Sequence, residues 1–174
     1  MTFPDQSPSD LPDERLVQHA QGGDRGAFEA LVRRYLGPAR SFCAKLLGDA
    51  VLAEDACQEA FLKAWRGLPG FRAEAKFRTW LWRILMNAAN DIRKPRPAPL
   101  GDMDFEAMPE RDPVAEEAIA REIARLPERQ RQVLLMKAEL DLTPAEIAEA
   151  LGISYEAVKA SLSLARKTLK EKLK

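Results

Sequence analysis

Residues 143–169 constrain the fold more than any other part of the chain. Thr143 stands at a helix cap, Pro144 at the first helical position and Glu146 three residues after the cap, which is a strong helix start. Gly152 can adopt the left-handed conformation that turns the chain sharply, and Ser154 can cap a last helix that runs to about Lys172. The spacing of small and apolar residues fits two closely crossing helices: Ala148, Gly152, Ile153 and Val158. This pattern predicts a helix-turn-helix.

A helix-turn-helix can place its second helix in the major groove of DNA, with the N-terminal residues nearest the bases. The expected contacts near the bases are Ser154, Tyr155, Glu156, Lys159 and Ser163, and the expected phosphate contacts are Arg166, Lys167 and Lys170. A helical hairpin that merely packs is the alternative. Turn chemistry, small-residue spacing and the basic C-terminal segment together favour DNA binding.

A second unusual helix is predicted within residues 71–94. Its apolar positions recur every three or four residues and predict one buried stripe: Phe77, Leu81, Ile84, Ala88 and Ile92. The opposite stripe combines cations with neutral hydrogen-bonding groups: Lys76, Thr79, Arg83, Asn87, Asn90 and Lys94. Cations can neutralise phosphates, Asn and Thr can hold bases, and the nearby Trp80 and Trp82 offer surfaces for stacking. A core helix with a polar outer face explains the stripe equally well.

Charge is distributed unevenly along the 174 residues, although the net charge is +0. Residues 66–96 carry eight basic side chains against two acidic ones, and residues 159–174 carry six against one. Two separated basic segments in a neutral chain suggest two contact surfaces for one polyanion. Two solvated helix faces are the simpler explanation for each segment alone.

The periodicity is helical almost throughout and predicts an all-α protein of two small domains. Residues 1–12 are expected to form a disordered arm, residues 13–94 the first domain, and residues 113–174 a four-helix domain with the helix-turn-helix. Residues 95–112 are rich in proline and acidic side chains and predict a flexible linker. Within the first domain, Gly37 and Pro38 predict a break between two helices.

Composition argues against several other classes of protein. Cys43 and Cys57 lack the spacing of metal ligands, and His19 is the only histidine, so no metal or cofactor is expected. No disulfide is expected, which fits a reducing cytoplasm. The first twelve residues lack the basic and apolar regions of a signal peptide, and no segment is apolar enough for membrane insertion.

The helix predicted over about Val51–Leu68 has a polar outer face formed by Asp55, Gln58, Glu59 and Lys63. Glu59 and Lys63 can form a favourable pair one turn apart. Judged by itself, this face is a solvated surface.

Taken together, these segments resemble the extracytoplasmic-function (ECF) sigma factors, the two-domain type of bacterial sigma subunit. The resemblance spans about residues 13–173. The motifs that resemble the family are residues 24–31 (DRGAFEAL), 53–65 (AEDACQEAFLKAW), 77–87 (FRTWLWRILMN), 126–133 (LPERQRQV) and the helix-turn-helix at 142–169. Each motif alone is weakly specific for the family, but their order and spacing together are highly specific.

The resemblance implies roles that spacing alone does not. The face of Asp55, Gln58, Glu59 and Lys63 would dock on core RNA polymerase. The stripe on residues 71–94, preceded by Arg72, would recognise and open the −10 promoter element, and the helix-turn-helix would bind the −35 element. The linker would thread towards the polymerase cleft. An anti-sigma factor is implied as a further partner, and no catalytic residue is implied.

One departure from the family concerns the recognition helix. Many relatives continue after Lys159 with Ser-Arg-Leu, then His or Tyr, then Arg, whereas this chain has Ala160, Ser161, Leu162, Ser163 and Leu164. Weaker phosphate contacts are expected there, and Leu164 is a candidate for a protein contact.

Three alternatives to a sigma factor remain open. A helix-turn-helix transcriptional regulator with a helical sensor domain leaves the stripe beside Trp80 and Asn87 unexplained. A small helical enzyme or metal protein has little support from the residues present. A degenerate sigma-like adaptor would explain the atypical Ala160–Leu164 segment.

Overall fold

A computed structural model describes residues 11–92 and 113–173. These ranges contain eight α-helices and a short 3-10 turn, with no strand, which confirms the all-α class. Most of the predicted arm, the whole predicted linker and Lys94 lie outside the described residues.

The helices form two sequential groups. The first group contains α1 (Asp13–Gln21), α2 (Arg25–Leu47), α3 (Ala50–Gly67) and α4 (Phe77–Ile92). The second contains α5 (Pro113–Arg125), α6 (Glu128–Glu139), α7 (Pro144–Leu151) and α8 (Tyr155–Lys172). The 3-10 turn Leu68–Gly70 and a loop over residues 71–76 connect α3 to α4.

Helix α2 is continuous, so the predicted break at Gly37 and Pro38 is wrong. Proline lacks the backbone N–H that an interior helical residue donates and normally disrupts a helix. Here the apolar stripe continues on both sides of Pro38, from Leu31 to Ala39 and Phe42, and all three side chains are buried. Tertiary packing of that stripe therefore outweighs the local breaking signal.

Helix α3 is held by small side chains. Its buried residues are Ala53, Ala56, Cys57, Ala60 and Ala64. Because none of them is bulky, the backbone of α3 can approach both helices that it packs against, α2 and α4. Both cysteines of the chain, Cys43 and Cys57, are buried free thiols in the first group.

Helix α1 is fastened to α2 by Asp13. The Asp13 carboxylate accepts hydrogen bonds from the Arg34 guanidinium and the Tyr35 hydroxyl. Burial, and next the hydrogen bond to Asp13, raises the pKa of Tyr35. The Tyr35 ring also packs edge-on against Trp82, with ring centroids 5.5 Å apart. The hydrogen bonds of Asp13 therefore join α1 to α2, and the ring contact between Tyr35 and Trp82 joins α4 to α2.

The two groups pack against each other as well as internally. Helix α6 contacts α2, and α7 contacts α4. The buried residues of both groups form one hydrophobic cluster, to which the second group contributes Val133, Leu135, Met136, Leu142, Ile147 and Val158. The two groups therefore share one apolar core, which includes the contacts between α2 and α6 and between α4 and α7.

Leu31→Ala should lower the free energy of unfolding by about 2–5 kcal/mol, because Leu31 is fully packed and its truncation leaves a cavity. Leu62→Ala is the matched control. Leu62 is half exposed, so its change should stay within about 0.5 kcal/mol. Urea unfolding followed by circular dichroism measures both values, and equal losses would contradict this account of the core.

Candidate nucleic-acid interfaces

The helix-turn-helix has the geometry expected from its sequence. The Thr143 hydroxyl accepts a hydrogen bond from the Glu146 backbone N–H at 3.3 Å, and Glu146 Oε2 accepts from the Thr143 backbone N–H at 2.9 Å. Gly152 ends α7 with φ 63°, in the left-handed region. Ser154 caps α8 by accepting from the Ala157 N–H at 3.1 Å. These caps confirm the predicted turn between α7 and α8.

The outer face of α8 is exposed to solvent in the part of the chain that the structure describes. Val158, Leu162 and Ala165 point into the core. The predicted DNA contacts are all exposed: Ser154, Tyr155, Glu156, Lys159, Ser163, Arg166, Lys167 and Lys170. Their spacing places those within α8 along one side of the helix. A single exposed face therefore carries the residues expected to approach DNA.

Two further features mark this face. The Lys159 ammonium lies 5.6 Å from the centre of the Tyr155 ring, a cation–π contact that holds both side chains near the start of α8. In the atypical segment, Ala160 is exposed and Leu164 is 52% exposed, so Leu164 remains available for a contact outside the chain.

The predicted stripe on α4 is divided between two environments. Lys76, Thr79, Arg83 and Asn90 follow one another at helical spacing and form one row. Three of them contact the second group. Lys76 Nζ lies 3.4 Å from Glu146 Oε1, Arg83 Nη2 donates to the Glu149 carbonyl, and Asn90 Oδ1 accepts from Gln132 Nε2 at 3.5 Å.

Two residues of this region differ from expectation. Thr79 is only 1% exposed and its Oγ1 has no hydrogen-bond partner among the described residues, so the expected exposure of Thr79 is wrong. Thr79 is the buried member of that row and lies at the edge of the buried arc of α4. Trp82 is also buried and packs on Tyr35, so its ring is not a free stacking surface. Helical periodicity locates an apolar stripe but not its width.

The other side of the stripe remains open. Asn87 is exposed and Trp80 is half-buried, and both line a cavity of about 540 Å³ with Lys63, Gly67, Ile84, Asn90 and Asp91. Gly67 touches the Trp80 ring so closely that a Cβ at position 67 would lie 3.2 Å from Trp80 Cζ2. Asp91 gives this side an acidic group that the stripe pattern omitted, and Lys63 Nζ lies 3.9 Å from it.

The loop before α4 forms a separate recess. Arg72 is exposed, and Ala73 adopts φ 55°, which is uncommon for a residue with a side chain. Gln21 Nε2 holds the loop by donating to the carbonyls of Leu68 at 3.0 Å and Phe71 at 2.8 Å. A cavity of about 530 Å³ lies between α1 and this loop. Sequence reasoning missed Gln21, because nothing in α1 indicates a loop fifty residues away.

The aromatic residues around this loop pack on one another. The Trp80 ring centroid lies 4.9 Å from that of Phe71 and 5.7 Å from that of Phe77. Such pairs add stabilisation beyond the apolar area that they bury. Trp80 is therefore positioned by its neighbours while one part of its ring still lines the cavity.

The predicted polar face of α3 is present. Asp55 and Gln58 are exposed, and Lys63 Nζ lies 3.3 Å from Glu59 Oε1. This face also has apolar parts that the sequence analysis missed, since Val51 and Leu62 are each about half exposed. A groove of about 540 Å³ runs beside it and is lined mainly by Phe28, Phe61, Leu62, Trp65 and Gln58. The face therefore combines charged and apolar surface.

Glu146 is the strongest electrostatic feature of the contact between the groups. Arg78 Nη2 lies 2.6 Å from Glu146 Oε2 and Arg78 Nε lies 3.1 Å from Oε1, a two-point ion pair. Burial alone would raise the pKa of Glu146, but hydrogen bonds from Arg78 and Thr143 outweigh it and lower that pKa to about 2. The same ion pair raises the pKa of Arg78. Sequence reasoning gave Glu146 a capping role only.

Within residues 11–92 and 113–173, no three His, Cys, Asp or Glu side chains come together as metal ligands would. None of the described helices combines the length and apolar composition needed to cross a membrane.

Comparison with known proteins identifies the class of protein. The Sigma-70 region 2 family matches residues 31–96, and the Sigma-70 region 4 family matches residues 116–169. The chain is 34% identical to the ECF RNA polymerase sigma-E factor of Escherichia coli K12, covering 94% of this chain and 95% of that protein. It is 30% identical to the ECF RNA polymerase sigma factor SigW of Bacillus subtilis, covering 92% and 96%.

A solved structure gives the same answer. The fold is similar to that of CnrH in complex with the cytosolic domain of CnrY, with a TM-score of 0.73, 28% identity, and coverage of 91% of this chain and 95% of that one. The two-group helical fold with a C-terminal helix-turn-helix is thus that of a two-region sigma subunit. The chain belongs to the ECF RNA polymerase sigma factor family.

The stabilisation that Glu146 provides should depend on pH. Its pKa is lower in the folded protein than in the unfolded chain, so its contribution is complete above about pH 4.5 and is lost as the pH falls towards about 2. Glu146→Gln should lower the free energy of unfolding by about 1–3 kcal/mol near pH 6. The difference between the two proteins should shrink by about pH 3.

Thermal unfolding of both proteins across this pH range measures the difference, and subtracting one curve from the other removes the contribution of the remaining carboxylates. A difference that stays constant from about pH 6 to about pH 3 would contradict the role given to the Glu146 charge.

Proposed function

We propose that the chain is a bacterial sigma factor that binds core RNA polymerase and directs transcription initiation at selected promoters. The observation that carries this proposal is that both sigma regions match in the expected order, with relatives of 30–34% identity that span more than nine-tenths of the chain. Residues 13–94 would form the region 2 domain, residues 95–112 the linker and residues 113–174 the region 4 domain.

The outer face of α3 is the proposed site for core polymerase. Asp55 and Gln58 are exposed, and Glu59 and Lys63 pair beside them. Exposed Val51 and Leu62 flank this polar set. A mixed face of this kind suits a protein partner, because apolar surface supplies affinity while charged groups select orientation.

The open side of α4 and its preceding loop form the proposed −10 interface. Asn87 and the half-buried Trp80 line one cavity, where a base extruded from the duplex could stack on the indole and meet the amide. Arg72, Lys76, Arg83, Asn90 and Lys94 would hold the backbone around it. Lys76, Arg83 and Asn90 also contact the second group, and Lys76 and Arg83 remain exposed to solvent while they do so.

The exposed face of α8 is the proposed −35 interface. Ser154, Tyr155, Glu156, Lys159 and Ser163 lie towards the N-terminal half, where a recognition helix approaches base edges. Arg166, Lys167 and Lys170 would contact phosphates. The absence of further basic residues between Ala160 and Leu164 suggests that this interface has few phosphate contacts in its middle.

Promoter opening would then be driven by binding and not by a chemical reaction of the protein. Extruding a base requires a few kcal/mol, which stacking and phosphate contacts can offset. The protein would work in the cytoplasm, where core polymerase and promoter DNA are found. An anti-sigma factor is a further proposed partner, supported by the similarity to CnrH, whose structure is in complex with the cytosolic domain of CnrY.

Run-off transcription with purified core polymerase on a genomic promoter library tests the proposed function. Starts that require this protein would support it. A complete lack of dependent starts, together with failure to co-purify with core polymerase, would favour a helix-turn-helix regulator that acts without forming a holoenzyme.

Trp80→Ala should slow open-complex formation by about tenfold or more, because stacking is worth about 1–3 kcal/mol per base. Asn87→Ala should slow it by about two- to tenfold, because a hydrogen bond contributes about 0.5–1.5 kcal/mol. Permanganate reactivity of unpaired thymines at a mapped start measures the effect. The affinity for core polymerase should stay within about twofold, since neither residue lies on the outer face of α3.

Trp65→Ala is the control for loss of an indole elsewhere in the first group, where Trp65 lines the groove beside α3. It should leave melting of preformed holoenzyme unchanged. If Asn87→Ala and Trp80→Ala abolish core binding instead, their side of α4 faces polymerase or is purely structural.

Lys167→Ala should reduce the salt dependence of −35 duplex binding. Removing one phosphate contact should lower the slope of log K against log salt by about 0.9. Leu164→Ala, at a neighbouring exposed position without charge, should leave that slope unchanged. Fluorescence anisotropy at several KCl concentrations measures both, and equal slopes for all three proteins would remove Lys167 from the interface.

A further inference from the structure

Helix α8 presents a large apolar side chain to solvent. Leu164 is 52% exposed, the highest value among the large apolar side chains of the described residues. Single exposed leucines are common on protein surfaces, so exposure alone indicates no ligand. The position of Leu164 is what distinguishes it, because it lies on the exposed side of the helix proposed to enter the −35 element, together with Ser163 and Lys167.

Leu164 belongs to a row of α8 that carries no positive charge up to that point. Glu156, Ala160 and Leu164 follow one another at intervals of four residues, so they lie in line along the helix, and all three are exposed. We call these three residues the Glu156 row. The neighbouring row carries Lys159 and Lys167. The positive charge of the face is therefore displaced to one side of the Glu156 row.

The charges of the two rows favour one orientation of α8 in a major groove. Among the described residues, Lys159, Lys167 and Glu156 form no salt bridge, so their charges are available to an external partner. Phosphates attract the two lysines and repel the Glu156 carboxylate. Base edges, in contrast, offer a carboxylate the amino groups of cytosine and adenine. The lysines are therefore best placed over phosphates when the Glu156 row faces the bases.

The major groove offers Leu164 one kind of apolar partner. Base pairs present hydrogen-bonding atoms there, and the only methyl group among them is the C5-methyl of thymine. Packing Leu164 on a hydrogen-bonding atom would remove that atom from water without giving it a partner, whereas a methyl group loses nothing. Ala160, one turn earlier, is small and lets the helix approach the base pairs closely. A thymine is therefore the base that this part of α8 favours.

We propose that Leu164 is a specificity-determining residue that selects a thymine of the −35 element through its C5-methyl group, with Ala160 beside it. The proposal rests on the proposed binding of −35 DNA by α8, and it names a base that this surface selects. Selection would depend on one methyl group and not on a hydrogen bond or a phosphate.

Replacing thymine by deoxyuridine removes only the C5-methyl group and keeps every hydrogen-bonding atom of the base pair. The test uses holoenzyme assembled from core polymerase and the full chain, at a promoter whose start has been mapped by run-off transcription. Each thymine of the −35 element, on either strand, is replaced in turn. Competition against the unmodified promoter measures the affinity of the holoenzyme, and thymines of the spacer between the two promoter elements are the DNA control.

Three variants separate the contact from other effects. Leu164→Ala removes the apolar contact without changing the charge, and because Leu164 is exposed the variant should fold normally, which circular dichroism checks. Leu164→Met keeps an apolar side chain of similar volume. Ile119→Ala is the matched control, since Ile119 is 42% exposed on α5 of the same group.

Uracil at one thymine of the −35 element should weaken binding of the unaltered holoenzyme about three- to fivefold, the effect of withdrawing one methyl group from an apolar contact. Leu164→Ala should bind the thymine and uracil promoters with equal affinity at that position. Leu164→Met and Ile119→Ala should keep the discrimination. Uracil in the spacer should change nothing in any of these proteins.

A −35 element at which no uracil weakens binding, or one without any A·T pair, would overturn the proposal. Discrimination that persists in Leu164→Ala would assign the methyl group to another side chain. An equal loss on both promoters in Leu164→Ala would place Leu164 against a different partner, such as a protein. Each of the last two results removes Leu164 as the residue that selects thymine.

These outcomes differ from failure of the proposed function. In all of them the holoenzyme still prefers the unmodified promoter to unrelated DNA. If no such preference is found, the proposed promoter binding fails and the selection of thymine fails with it.

Discussion

The small side chains of α3 are the constraint on which the rest of the first group depends. Ala53, Ala56, Ala60 and Ala64 let α3 lie close to both α2 and α4, which brings the outer faces of α3 and α4 to a fixed separation. A larger residue at any of these buried positions would overpack the contacts of α3 with its neighbours. Buried residues of α3 that lie on neither surface therefore fix the relative positions of the surfaces proposed for polymerase and for promoter DNA.

Local chemistry made the second group predictable. The capping box at Thr143, the left-handed Gly152 and the cap at Ser154 all act within a few residues, and each occurs where the sequence places it. The same local signals failed at Pro38, where the buried stripe of α2 continues across a residue that usually ends a helix. Local rules work when the deciding interaction is local, and packing decides the other cases.

The contact between the groups could not be predicted from the sequence. Glu146 already has a sufficient local explanation as a capping residue, so nothing indicates that it also meets Arg78, sixty-eight residues away. Periodicity correctly placed Asn87 on the exposed side of α4 but could not distinguish it from Thr79, which is buried. Arg78 meets Glu146 because the second group covers one edge of α4, a helix whose pattern was interpreted as if it faced only solvent.

Gly67 has a consequence for how such a protein can diverge. Its missing side chain leaves room for the Trp80 ring, so the shape of the cavity beside Asn87 is set partly by a residue at the end of α3. A methyl group at position 67 would require the indole to shift by a few tenths of an ångström and would not change the identity of any polar side chain on α4. The base preference proposed for this cavity could thus be altered during evolution from outside the proposed interface, with its polar side chains inherited unchanged.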